Sequence, residues 1–508
     1  MGHLRMTNLF GRTPCAALFS FTRYIMQITR RHFLRNASAA AMAFGAVASP
    51  LGRAQVYSQD PTYGIDPFGQ LVGDPAGILH LPRGFSYTIL SRTGDTMSDG
   101  LITPSAPDGM AAFPVAGKNS HCILVRNHEL DSLGNEVDAF SGNADKARAF
   151  TKGKAFDHYQ NDMPVNGGTS NILYNLKTQK IERSHLSLIG TARNCAGGAT
   201  PWGSWLTCEE SLLNQQQGFG REHGFIFEVP SSADSLVDPV PLKDMGRFVH
   251  EAAAVDSQSG IIYLTEDFDH SLFYRFKPNA KEQLAFGGQL QALAITDWPG
   301  AITRNWNEDK TNPKAQHIEI GQSFNCHWQD LSDVQSPEGD LSLRGAAQGC
   351  AEFSRCEGVA FALRENGERE IFFAATGGGP KKIGQIWRYR PGPYEGTARE
   401  KEAPGQLTLM YETHDRSAME SCDNLAIAPW GDLIICEDSY SDSPDMVNYI
   451  RGMTPQGKIY TLAMNAHPDK GEFCGACFSP DGSTLFVNIQ RPGFTLAITG
   501  PWGKLRNS

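Results

Sequence analysis

Positive charge is scarce in this 508-residue chain: 45 Lys and Arg face 55 Asp and Glu, a formal net charge of −10. A nucleic-acid binder needs a basic face to displace counterions, so nucleic acid is not expected as a partner. No apolar run approaches the roughly 20 residues of a spanning helix, so no stable membrane anchor is expected either. Gly-x-Ser-x-Gly is missing, which removes nucleophile-elbow hydrolases. No Rossmann fingerprint follows a strand, and the run Gly377-Gly-Gly379 lacks P-loop spacing. Only one Cys-x-x-Cys exists, Cys474 to Cys477, so a structural zinc site would lack its second half. Glycine, in contrast, is abundant at 52 residues, which favours tight turns and many short strands.

The start of the chain is basic. Residues 29–35 read Thr-Arg-Arg-His-Phe-Leu-Arg, which is similar to the twin-arginine export motif, and a small-residue apolar run follows from Ala37 to Ala48. Cleavage is expected after Ala54. Residues 1–54 are therefore expected to be a signal peptide read by the twin-arginine export machinery, and residues 55–508 a single domain delivered to the periplasm or beyond. The first 54 residues hold seven arginines, no lysine and no acid, so 38 basic and 55 acidic residues remain, a net charge of −17. Such a protein suits cations better than polyanions. Ten of the eleven cysteines lie beyond the signal. Cys122, Cys208 and Cys436 sit in apolar strand contexts, where buried free thiols are expected.

One pattern recurs six times. A polar residue precedes small residues and a short strand; a turn follows; a second apolar strand ends in polar or acidic residues. The copies lie near 108–129, 194–210, 250–267, 355–376, 421–438 and 472–488. Hairpin after hairpin implies an all-β array, and six copies of one sheet motif predict a six-bladed β-propeller with loop insertions between blades. An insertion is expected within 279–350. A sandwich or a pair of barrels does not explain a sixfold repeat.

In a propeller the first strand of each blade lines the central channel. Here those strands begin with Asp108, Cys195, Glu251, Glu357, Asp423 and the pair Glu472/Cys474. A second set of acids ends the return strands: Glu129, Glu209/Glu210, Glu266/Asp267 and Glu437/Asp438. Antiparallel pairing brings both sets to one face. Crowded carboxylates repel unless a cation compensates them. Oxygen donors suit calcium, and a thiolate among them suits a transition metal. Of the adjacent acids Glu209 and Glu210, Glu210 is expected to face the channel. His250 and His128 stand beside these acids and fit a structural role equally well. Lys381 and Lys382 could add positive charge at the rim, but are expected to be plain surface lysines.

Longer stretches then resemble a known family. Leu81-Pro-Arg-Gly-Phe-Ser-Tyr87, Asn127-His-Glu129, Asn194-Cys-Ala-Gly-Gly with Thr200-Pro-Trp-Gly and Leu206-Thr-Cys-Glu-Glu210, Arg355-Cys-Glu-Gly358, Thr376-Gly-Gly-Gly, Gly384-Gln-Ile-Trp387, Cys436-Glu-Asp438 and Leu485-Phe-Val-Asn-Ile-Gln490, running into Ala497-Ile-Thr-Gly-Pro-Trp502, resemble the PhoX-type alkaline phosphatases. The resemblance covers nearly all of the chain after the signal. It implies an exported six-bladed propeller that hydrolyses phosphate monoesters with a metal-activated water or oxide, using iron (Fe3+) and calcium (Ca2+) in the channel. It further implies Cys195 as the thiolate ligand, Glu357 as a metal ligand and Arg355 as the catalytic arginine on phosphate. Either Glu251 or Glu266 fits as a further ligand by spacing, and both are carried forward, with Glu210 and Asp423, as candidate metal ligands. Two other functions fit an acidic propeller channel: a calcium-dependent lactonase, and a non-catalytic calcium-stabilised binding scaffold. Neither needs the thiol of Cys195.

Overall fold

The computed structural model describes residues 67–130, 136–439 and 446–504. The expected export signal and its cleavage after Ala54 lie outside the described residues. All described residues fall in one compact unit, Tyr57–Ser508. The fold is all-β in a propeller arrangement, as the repeat predicts.

Each of the six hairpins forms where it is expected. Their first strands are Pro107–Pro114, Asn194–Ala199, His250–Val255, Cys356–Leu363, Cys422–Ile427 and Phe473–Phe478. Each of these packs on the next in turn, and Phe473–Phe478 packs back on Pro107–Pro114. The ring they form surrounds a channel of about 270 Å³. Closure uses the other end of the chain: Ser86–Arg92 pairs with Phe494–Thr499, and so completes the last sheet. Arg126 fastens the same seam from inside. It donates to Thr495 Oγ1 at 2.6 Å and to Ser91 and Ser170 at 3.2 Å each.

Hydrogen bonding divides the described strands into five sheets, not six separate ones. The reason is Ser323–Asp330, inside the expected insertion. It pairs on one side with Gly288–Ile295 and on the other with Gly405–Glu412. The third and fourth hairpins thereby share one nine-stranded sheet. Aromatic packing reinforces that junction: Phe273 stacks on Phe373 with centroids 4.2 Å apart. The second hairpin has only three strands in its sheet, ending with Ile226–Pro230.

Small residues let six strands converge on one axis. The residue after each channel-facing position is Gly109, Ala196, Ala252, Gly358, Asn424 or Gly475. A Cβ on Gly358 would lie 2.5 Å from Asp423 O and 2.6 Å from Leu425 N, both backbone atoms of the neighbouring strand. Gly358→Ala must therefore part the fourth and fifth inner strands. We expect it to lower stability by about 1–3 kcal/mol, the usual cost of overpacking, read as a lower urea midpoint.

Candidate metal centre

A break in strand pairing aims each channel residue. In the first five hairpins the ladder skips between Pro107 and Met110, Asn194 and Gly197, His250 and Ala253, Cys356 and Val359, and Cys422 and Leu425. In the sixth it skips one step later, between Cys474 and Cys477. Such bulges re-aim a side chain at a strand's end. Here they present Asp108, Cys195, Glu251, Glu357, Asp423 and Cys474. The carbonyls at three of these positions are held from the preceding hairpin. Asn127 Nδ2 donates to Cys195 O at 2.9 Å, Thr265 Oγ1 to Glu357 O, and Asn488 Nδ2 to Asp108 O at 2.6 Å.

A second tier is equally regular. The residue two before each channel residue accepts, at its carbonyl, a backbone N–H from the end of the return strand. Glu129 donates to Ala106, Glu210 to Arg193, Asp267 to Val249, Thr376 to Arg355, Asp438 to Ser421 and Gln490 to Glu472, at 2.9–3.2 Å. The outer positions are thus Glu129, Glu210, Asp267, Thr376, Asp438 and Gln490.

This register separates the acid pairs. Glu209, Glu266 and Glu437 occupy the strand position before the outer one, and strand side chains alternate in direction. All three turn into the blade. Glu209 is fully buried, receives His223 Nδ1 at 2.6 Å and accepts from the N–H groups of Ala192, Gly224 and Phe225. Glu266 accepts from Tyr274 Oη at 2.7 Å and Leu272 N at 3.4 Å. Burial raises its pKa to about 7, opposed by those hydrogen bonds. Glu437 holds Arg451 Nε at 2.8 Å. Glu210 does reach the channel mouth, as expected. Glu266 does not: the equivalent of Glu210 in the third hairpin is Asp267.

The ring residues come together in five overlapping triads, each with one ligand atom per residue within 4.8 Å of the others. Asp108, Glu129 and Cys195 form one; Cys195, Glu210 and Glu251 the next; Glu251, Glu357 and Asp423 the third. Asp423, Asp438 and Glu472 continue it, and Asp108, Glu472 and Cys474 close it. Five of the six expected ligands are therefore brought together, and Glu266 is left out.

The electrostatics match a site built for cations. Burial above all, then neighbouring acids, raises the pKa of Asp108 and Glu251 well above the carboxylate range. Burial also raises Glu357 and Asp423, where Arg355 partly opposes it. The Cys195 thiol is pushed up by burial and by Asp108, Glu251, Glu129 and Glu210. Asp108 Oδ1 and Glu251 Oε2 are buried without a hydrogen-bond partner. Such atoms are rare unless another group, such as an ion, satisfies them. The donor set, carboxylates with a thiol, fits hard cations together with a transition metal.

Arg355 stands over this ring in the left-handed region, at φ 51°. It clasps Asp267 with Nε at 2.8 Å and Nη2 at 3.0 Å, and Glu357 at 2.7 Å. Arg193, which no motif singled out, occupies the equivalent place in the second hairpin. Only alignment of the repeats by their outer residues exposes it. The two histidines are structural. His128 is buried against Ser170 Oγ and Ser105 O, and His250 against Gly246 O and the ring of Phe248. Lys381 and Lys382 are exposed, the first on His414 O and the second on Glu308. All ten described cysteines are free thiols.

The family profile described as alkaline phosphatase PhoX matches residues 66–493. No curated protein sequence matches the chain. Among solved structures, the chain is similar to Pseudomonas fluorescens PhoX in complex with vanadate, a transition-state analogue. The two share 18% identity at a TM-score of 0.60, covering 84% of this chain and 96% of that one. It is less similar to XC5397 of Xanthomonas campestris, described as a gluconolactonase, with 10% identity, a TM-score of 0.39, and 82% and 98% of the two chains covered.

Proposed function

The chain belongs to the alkaline phosphatase PhoX family, and from that premise we propose that it hydrolyses phosphate monoesters with cations held by the acid-and-thiol ring of a six-bladed propeller. The enzyme class follows from the family; the metals, the residue roles and the location are our reading. Six blades are supported by six hairpins whose inner strands pack in a closed circle, with the nine-stranded sheet counted as two blades bridged by Ser323–Asp330.

One observation carries the site assignment: the closed chain of triads, with buried and unpartnered oxygens on Asp108 and Glu251. Cys195, Glu210, Glu251, Glu357 and Asp423, together with Asp108, would hold the metals, calcium on the carboxylates and iron beside the thiol of Cys195. When bound, the cations supply positive charge for phosphoryl oxygens and acidify a water molecule. The chain's own residues do the rest. Arg355 would bring its guanidinium charge to the phosphoryl oxygens and so help to fix the phosphorus for in-line attack. Asp267, on Nε and Nη2, and Glu357, on Nη2, hold that guanidinium in place. Asn127, through the Cys195 carbonyl, keeps the thiol aimed at the ring. Export by the twin-arginine route to the periplasm, supported by residues 29–35, would let a metal be chosen in the cytoplasm before transport.

Metal content tests the assignment. Cys195→Ser should abolish iron loading and leave calcium bound, whereas Glu266→Gln should keep both metals at full stoichiometry. Elemental analysis of the purified variants decides it. Full iron in Cys195→Ser would remove that thiol from the ligand set.

A further inference from the structure

Six backbone positions overlook the ring, each two residues before a channel residue: Ala106, Arg193, Val249, Arg355, Ser421 and Glu472. Only two of them are cationic, Arg193 and Arg355, and these match in four respects. Both adopt the left-handed conformation, at φ 52° and 51°, which Ala106 and Ser421 also take at this position of the repeat. Both have the backbone N–H held from the preceding hairpin's end, Arg193 on Leu130 O and Arg355 on Phe268 O, each at 2.9 Å. Both reach back to the outer carboxylate of the preceding hairpin: Arg193 Nη2 to Glu129 Oε1 at 2.8 Å, Arg355 to Asp267. Both touch an acid of their own hairpin, Arg193 Nη2 on Glu210 Oε2 at 2.7 Å and Arg355 on Glu357. Their side chains are exposed to similar extents, 22% and 25%. One hairpin lies between them, and it carries Glu251.

We propose that Arg193 is a second guanidinium for the phosphoryl group of the substrate, facing Arg355 across the hairpin of Glu251. Resting on the phosphatase reading above, it adds a residue on the opposite side of the same phosphate. A tetrahedral dianion presents oxygens in several directions, and one guanidinium cannot reach all of them. Arg193 brings fixed positive charge to the side of the ring that holds Cys195, where Glu129 and Glu210 keep its guanidinium oriented.

The test is calorimetric binding of inorganic phosphate to the enzyme as isolated with its metals. Arg193→Lys and Arg193→Gln are compared with the wild type and with Arg355→Lys. A charged hydrogen bond is worth about 1.5–3 kcal/mol, so each arginine variant should weaken phosphate binding by about tenfold to a hundredfold at unchanged metal content. Weakening in Arg355→Lys without weakening in either Arg193 variant would overturn this inference and leave the phosphatase reading intact. Metal loss in Arg193→Lys would also overturn it, by showing a purely structural pairing with Glu129 and Glu210. No phosphate binding by the metal-loaded wild type would overturn both.

Discussion

Arg355→Ala should lower kcat/KM for a phosphate monoester by about a hundredfold to a thousandfold, the usual loss when one preorganised donor is removed from a developing oxyanion. In the loose transition state of phosphoryl transfer, charge is spread over the three equatorial oxygens, and catalysis of this step is mostly positioning and electrostatics. Arg355 is oriented before substrate arrives. Asp267 grips two of its nitrogens and Glu357 a third contact. Its backbone is pinned at φ 51° with the N–H on Phe268 O and the carbonyl under Thr376 N. Arg355→Lys keeps the charge and loses the fork, so it should recover only part of the activity. kcat should fall as well as affinity, since the interaction is expected to strengthen in the transition state. A loss confined to KM would assign Arg355 to ground-state binding alone.

The second large effect is on stability. Stripped of metal, the protein should become less stable as pH rises from about 5 to 9, and metal should reverse the slope. Asp108, Glu251, Glu357 and Asp423 all have raised pKa values in the fold, first because they are buried. In the unfolded chain these acids ionise near pH 4. Above that pH the metal-free fold binds more protons than the unfolded chain, so stability falls with pH until each raised pKa is passed. Every unit of difference is worth about 1.36 kcal/mol per group. Bound cations replace those protons, so loading should release protons and strengthen with pH. Melting temperatures at pH 5, 7 and 9, with a chelator and with metals restored, read the effect. Parallel curves would show that the ring does not hold its charge against cations.

Much of this was legible in the sequence because a repeat gives six chances to see one pattern. The hairpins appeared where their turns and apolar strands placed them, and the channel-facing acids followed from where each inner strand begins. What puts Glu210 rather than Glu209 at the channel is register. Glu209, Glu266 and Glu437 stand one strand position before Glu210, Asp267 and Asp438, so the first of each pair turns inward. That parity was available from the paired acids alone, and it forbids choosing Glu210 and Glu266 together. Arg193 was legible in the same way, two residues before Cys195 as Arg355 is before Glu357. The shared sheet of the third and fourth hairpins was not, because Ser323–Asp330 carries no repeat signal and pairs with strands distant in sequence.

The most direct test of the whole account joins two readings on one sample: iron and calcium by elemental analysis, and turnover of a chromogenic phosphate monoester between pH 6 and 10. Both metals are expected in the purified protein, with hydrolysis that a chelator abolishes and that recovers when the metals return. Protein that carries both metals and hydrolyses no phosphate monoester anywhere in that range would contradict it.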